Sequence, residues 1–351
     1  MLKLWDSSAL TDERGRDYYF DNAKFMLILS VVIAHLISPI KSEMDSVRTL
    51  WTVINAVHMP AFIFISGYFA KSYVKKDGSF KFQRLLTYIV YYMAAQIAVS
   101  VFEYFVLHHT SMEKSFFYPR SSLWYLMCLC IWHILLPYIA KLKPSYVMIA
   151  AVVCGLLVGY DTGAGSFLSN MRVVSHFPFF MAGYYFKKEW FFKFRNAGTR
   201  LLALAGGILI TVWTYFNLDK ITPRIITSAD RYRDCQLKYF TAFPVMWVNR
   251  FLYYILACIM IAMLLLLVPR CKTFFTKLGS RTLQVYILHR FIYLAELDYQ
   301  WHLPFVSGPG AVAMVLIAIA LTFILSLKVF EYPFKALAGI RIEWFLKKEE
   351  Q

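Results

Sequence analysis

Residues 21–37, DNAKFMLILSVVIAHLI, place a lysine at one end of an apolar run and a histidine well inside it. Lys24 and His35 are eleven positions apart. On a helix that spacing returns to within about 20° of the same face after roughly 16 Å of rise. Asp21 lies one turn before Lys24, on nearly the same face. The three residues describe a polar track from a membrane surface into its interior. Polar groups at that depth are costly and usually face a bundle interior or a water-filled cavity. A histidine there is suited to general-base or nucleophilic chemistry, because an unperturbed imidazole titrates near neutrality. The same residues also fit a structural histidine bonded to a neighbouring helix, with Lys24 snorkelling to the interface.

Further polar residues interrupt other apolar runs. In INAVHMPAFIFISGYFA, His58 precedes Pro60, which has no backbone N–H to donate. It reads either as a substrate contact or as the satisfier of carbonyls freed at a kink. Ser66 and Gly67 in the same run permit close helix approach. Lys81 and Arg84 form K-x-x-R before the third run, a pairing suited to phosphate oxygens but also to lipid headgroups. His289 and Arg290, in TLQVYILHRFIY, make a third basic site at membrane depth, with Gln284 nearby. Trp124, in FYPRSSLWYL, has the character of a platform for a sugar ring or of an interfacial belt residue. His133 and His176 fall near run interiors with nothing around them to suggest a role, and His108, His109 and His302 fall in loops.

The elements that must position these residues are membrane helices. The 351 residues are 59% hydrophobic and 17% charged, well away from soluble averages. Many runs approach the roughly 20 residues that span a bilayer. The expected fold is an all-α integral membrane protein of about ten helices, at 22–41, 50–70, 84–107, 122–140, 145–160, 172–186, 201–217, 245–268, 281–298 and 310–331. With the N-terminus inside, 25 of the 37 Lys and Arg fall in inner segments and 11 in outer ones, with Arg290 inside a span. That bias predicts two cytoplasmic termini. It also accounts for the net charge of +16 without nucleic acid as a partner. The expected organisation is a cytoplasmic segment at 1–21, a membrane domain at 22–331 and a cytoplasmic tail at 332–351. The outer loop near 218–244 is long enough to be functional. The six cysteines give neither a disulfide framework nor zinc spacing, and no metal is expected. The first 20 residues lack the apolar core of a cleavable signal.

Four segments carry a family likeness: DNAKFMLILSVVIAH, HMPAFIFISGYFAKS, LWYL with FPFFMAGYYF, and RTLQVYILH. With the ten-span pattern, the chain resembles the membrane-bound acyltransferase 3 family, especially its fucose 4-O-acetylase-like branch. The family's arginine, ten residues, histidine motif is matched by Lys24 and His35, with lysine in place of arginine. Its pair of arginines three apart is matched by Lys81 and Arg84, again with one lysine. Lysine keeps the charge but loses the planar fork. The resemblance implies an O-acyltransferase of the cell membrane that moves acetyl from cytosolic acetyl-CoA to a sugar or glycan hydroxyl of a cell-envelope or exopolysaccharide precursor. In that reading Lys24, Lys81 and Arg84 hold coenzyme A phosphates. His35 deprotonates the acceptor or carries the acyl group itself. His58, Trp124 and His289 contact the acceptor. Membrane lipid is the other expected partner. A transporter or flippase of a lipid-linked glycan is the rival reading, since intramembrane histidines also suit proton coupling.

Overall fold

The computed structural model describes residues 17–75, 79–110 and 115–340. The expected terminal segments therefore lie outside the described residues at 1–16 and 341–351. The described residues form helices α1 (Tyr18–Leu36), α2 (Asp45–Ala70), α3 (Phe82–Phe105), α4 (Trp124–Ile139), α5 (Pro144–Leu157), α6 (Asn170–Tyr185), α7 (Lys188–Lys193), α8 (Ala197–Phe216), α9 (Pro223–Thr227), α10 (Trp247–Leu267), α11 (Thr282–Tyr299), α12 (Gly308–Leu325) and α13 (Glu331–Ala338). One isolated bridge, Val74 to Phe80, is the β-pairing among them.

A helix stands at each of the ten expected spans, but six are long and apolar enough to cross a membrane by length and composition. These are α1, α2, α3, α8, α10 with its preceding turn, and α12. The helices α4, α5 and α6 are short, at 16, 14 and 16 residues. The 18 residues of α11 include Arg290, Glu296 and Asp298, which lower its hydropathy.

Helix α1 is buried over most of its length, packing on α2, α11 and α12. Its first turn is pinned by two side chains. Asp17 caps Tyr19 N–H at 3.0 Å and accepts from Lys188 Nζ at 2.8 Å. Asn22 is fully buried and its amide is saturated. Nδ2 donates to the carbonyls of Pro269 and Cys271, both at 2.9 Å. Oδ1 accepts from the Thr273 and Thr276 hydroxyls at 3.0 and 2.7 Å. This lock fixes the rotation of α1 against the α10–α11 connection, and hence where Lys24 and His35 point.

Helix α2 remains α-helical through Pro60 and packs most extensively on α6. Two glycines make that crossing close. A Cβ on Gly67 would sit 1.9 Å from the Phe180 carbonyl oxygen, and one on Gly183 would sit 1.8 Å from the Phe64 carbonyl oxygen. Each helix thus uses a missing side chain to admit the other's backbone, as small residues do in lipid-embedded crossings. At the periphery, α8 is the least covered of the six long helices, with 11% of its apolar window buried.

Candidate active site

The structure brings most of the sequence candidates to one place. A cavity of about 240 Å³ opens where the end of α1 meets the starts of α2, α4 and α6. His35 enters from α1, His58 and Asn55 from α2, Trp124 from α4, Arg172 and His176 from α6, and Tyr286 and Tyr293 from α11. His289 is buried directly behind: its ring centroid lies 5.2 Å from that of His35. Tyr293 stands 5.0 Å from the His35 ring on another side, with the Arg290 guanidinium 4.8 Å over its face.

The histidines differ in what their rings are committed to. In His58, Nδ1 lies 2.8 Å from the Ile54 carbonyl. In His289 it lies 2.9 Å from the Val285 carbonyl, and in His133 it lies 2.8 Å from the Leu129 carbonyl. A carbonyl only accepts, so Nδ1 is the protonated nitrogen in each of these rings and Nε2 the one with a lone pair. Among the described residues no hydrogen bond reaches the His35 ring, which is half-buried and faces the cavity. Unlike the other three rings, it makes no hydrogen bond to the carbonyl four residues back. It is the imidazole in this cluster whose two nitrogens are both available to a ligand.

Trp124 is buried rather than placed in an interfacial belt. The Arg172 guanidinium lies 4.8 Å over its ring, and the His176 ring is 5.3 Å away. In the charge count Arg172 is one of the 11 outer basic residues, at the outer edge of the span 172–186, and His176 has no assigned role. The signal was present: the two are four apart and therefore on one face of α6. The loop after α8 also contributes. Ile226 and Thr227 of α9 close one wall of the cavity, and the Thr227 carbonyl accepts from Arg172 Nε at 3.4 Å. His133 lies elsewhere, buried between the rings of Tyr73 and Tyr88, each 4.9 Å away.

A second, smaller cavity of about 140 Å³ continues toward the start of α1. Ile28, Ser66, Tyr125 and Thr282 line it, and it shares Met59 and Tyr286 with the first. Ser66 Oγ and Tyr125 Oη are 2.6 Å apart, and Tyr286 Oη donates to the Ser122 carbonyl. Ile28 is one turn above Lys24. Two of the cationic candidates, Lys24 and Arg84, meet beyond it at Phe69 near the end of α2. Lys24 pairs with Asp21 at 2.7 Å and lies 5.3 Å over the Phe69 ring. Arg84 Nη1 donates to the Phe69 carbonyl at 3.1 Å and to Ser72 Oγ at 3.0 Å. Lys81 caps α3. Its backbone N–H donates to Tyr73 at 2.9 Å, and its side chain is exposed. The structure thus separates the candidates into a histidine cavity at one end of α1 and a cationic cluster at the other, with a narrower cavity between.

Comparison with known proteins returns one family. The model of the acyltransferase domain of the acyltransferase 3 family matches residues 17–328, which takes in α1 through α12, both cavities and the cationic cluster. No curated protein and no solved structure matched the chain. Six apolar helices of spanning length and a family match over most of the chain make this a multi-pass membrane protein, and by that match it belongs to the acyltransferase 3 family and is an acyltransferase.

Proposed function

We propose that the protein transfers acetyl from cytosolic acetyl-CoA to a sugar hydroxyl of a cell-envelope or exopolysaccharide precursor at the plasma membrane, with His35 as general base. The observation that carries this reading is the meeting of His35, His58, Trp124 and Arg172 around one cavity. That cavity shares Met59 and Tyr286 with a smaller one on the side of α1 that carries Lys24. The donor's phosphates rest at Lys24, Lys81 and Arg84, where Arg forks and a Lys point charge suit phosphate oxygens. The pantetheine arm runs through the narrow cavity, past Ser66 and Thr282, and delivers the thioester beside His35. The acceptor sugar stacks on Trp124 with His58 and His289 nearby.

His35 takes the proton from the acceptor hydroxyl as its oxygen attacks the thioester carbonyl. The tetrahedral intermediate collapses with loss of the coenzyme A thiolate, which recovers the proton from the imidazolium. His289 and Tyr293, packed against the His35 ring, hold it in place while its own nitrogens stay uncommitted. Purified protein incubated with acetyl-CoA and a panel of sugars should release free coenzyme A thiol with an acceptor present. A protein that moves a radiolabelled lipid-linked glycan across vesicles without releasing thiol is a transporter, and the reading fails.

A further inference from the structure

We propose that the acceptor is a sugar carried on a hydrocarbon chain, and that the chain lies in an apolar cleft between α2, α8 and α10 while its sugar occupies the histidine cavity. This rests on the acetyl-transfer reading and names its substrate class. The cleft has a volume of about 520 Å³, against about 240 Å³ for the histidine cavity. Val53 and Ala56 of α2, Ile210 and Trp213 of α8, and Leu256 and Met260 of α10 form its walls.

The cleft and the cavity adjoin at a shared lining residue. Ile226 of α9 lines both. On α2, Asn55 faces the cavity and the adjacent Ala56 faces the cleft. Thr227, which follows the shared Ile226, holds Arg172 of the cavity. One amphipathic molecule with its head by Trp124 and Arg172 therefore has an apolar space within a residue's width for its tail.

The cleft also opens in the right direction. Leu209 is 68% exposed, Trp213 55% and Leu252 51%, and all three line it from helices of membrane-spanning length. Their exposed faces meet bilayer hydrocarbon, not water. Lys220, Thr222 and Asn249 line the cleft where the loop after α8 and the start of α10 cover it, and Thr52 and Thr214 are the polar residues on its helical walls, the Thr52 hydroxyl donating to the Arg48 carbonyl of its own helix. A water-soluble sugar needs none of this surface. A bulk phospholipid filling a gap between helices is the competing occupant, and it predicts no coupling to transfer.

The test uses the full-length protein in nanodiscs with acetyl-CoA and matched methyl and dodecyl glycosides of common hexoses. The dodecyl glycoside should show a KM at least about tenfold lower than the methyl glycoside, given the apolar surface its chain buries. Partitioning into the bilayer lowers that KM in any variant, so Ile210→Trp, which puts an indole into the cleft, is the discriminating arm. It should remove most of the chain-dependent gain and leave the methyl glycoside and acetyl-CoA constants unchanged, while Ile210→Ala retains the gain. An unchanged dodecyl advantage in Ile210→Trp overturns the inference while leaving acetyl transfer intact. In parallel, a dodecyl glycoside with a diazirine in its chain should label α8 and α10, displaced by unlabelled dodecyl glycoside and not by equal added phosphatidylglycerol. Labelling elsewhere, or equal displacement by phospholipid, also overturns it. Absence of thiol release with every glycoside defeats the reading of acetyl transfer to a sugar instead, and the photolabel then decides the cleft alone.

Discussion

The imidazoles of His35 and His289 stand 5.2 Å apart, tilted by 48°, and only His289 is tied by its Nδ1 to its own helix. Both residues are histidines in apolar runs, and their surroundings differ. His289 is a buried support with a fixed tautomer. His35 is held by ring packing against His289 and Tyr293 while both its nitrogens remain available to whatever fills the cavity.

At the other end of α1, Arg84→Ala should raise the KM for acetyl-CoA and leave kcat nearly unchanged, because it removes a phosphate contact far from the thioester. A charge-assisted contact is worth about 1.5–3 kcal/mol, which corresponds to roughly 10- to 150-fold in KM. Arg84→Lys should recover part of this. Steady-state kinetics with varied donor measure it, and an unchanged donor KM in Arg84→Ala reassigns the residue to bracing the α2 end through Phe69 and Ser72.

On the acceptor side, Arg172→Ala should weaken acceptor use through two losses, the contact itself and the support of the Trp124 ring beneath it. The acceptor KM should rise by about tenfold, the scale of one cation–π or charged contact. The donor KM should not move. A rise in both constants would mean that the cavity as a whole had collapsed.

The helix crossing makes a stability prediction. Gly67→Ala puts a methyl group onto the backbone oxygen of Phe180, which cannot move aside like a side chain. Destabilisation of at least about 1–3 kcal/mol is expected from overpacking, read as a lower thermal midpoint in detergent. Ser66→Ala, one residue away, should cost less, since Ser66 sits at a hydroxyl pair with Tyr125 rather than at a backbone contact. Comparable losses for both would place the crossing elsewhere.

Much of this arrangement was legible in the sequence, and the gaps have physical reasons. The Lys24–His35 register survives because α1 is continuous and locked by Asn22. His58 and His289 announced themselves as polar residues in apolar runs, and Gly67 as a small residue in one. Arg172 was misread because a charge at the edge of a short helix looks like a topology marker; only the tertiary fold turns α6 so that it lies over Trp124. The role of Ile226 was invisible, since nothing in an apolar residue between two spans says that it lines two cavities at once. The span count stayed approximate because α4, α5 and α6 are too short to be judged by length, and α11 keeps charges that the bundle buries.

Topology is open to direct measurement. The 25-to-11 division of Lys and Arg predicts that a reporter fused after Gln351 is cytoplasmic and that a tag at the exposed Asp219 is reached from outside. A C-terminus found outside would invert the side from which the Lys24 cluster receives its donor.

The central claim is that His35 is the base, and one comparison tests it most directly: rates of acetyl transfer for wild type, His35→Ala and His35→Gln, with acetyl-CoA binding measured on the same samples. Glutamine can replace a structural hydrogen bond but cannot take a proton at neutral pH. Both variants should lose about 10²- to 10⁴-fold in rate, stay folded in the membrane and bind acetyl-CoA as wild type does. Near wild-type transfer by His35→Gln would contradict it and move the proton transfer to His58 or His289.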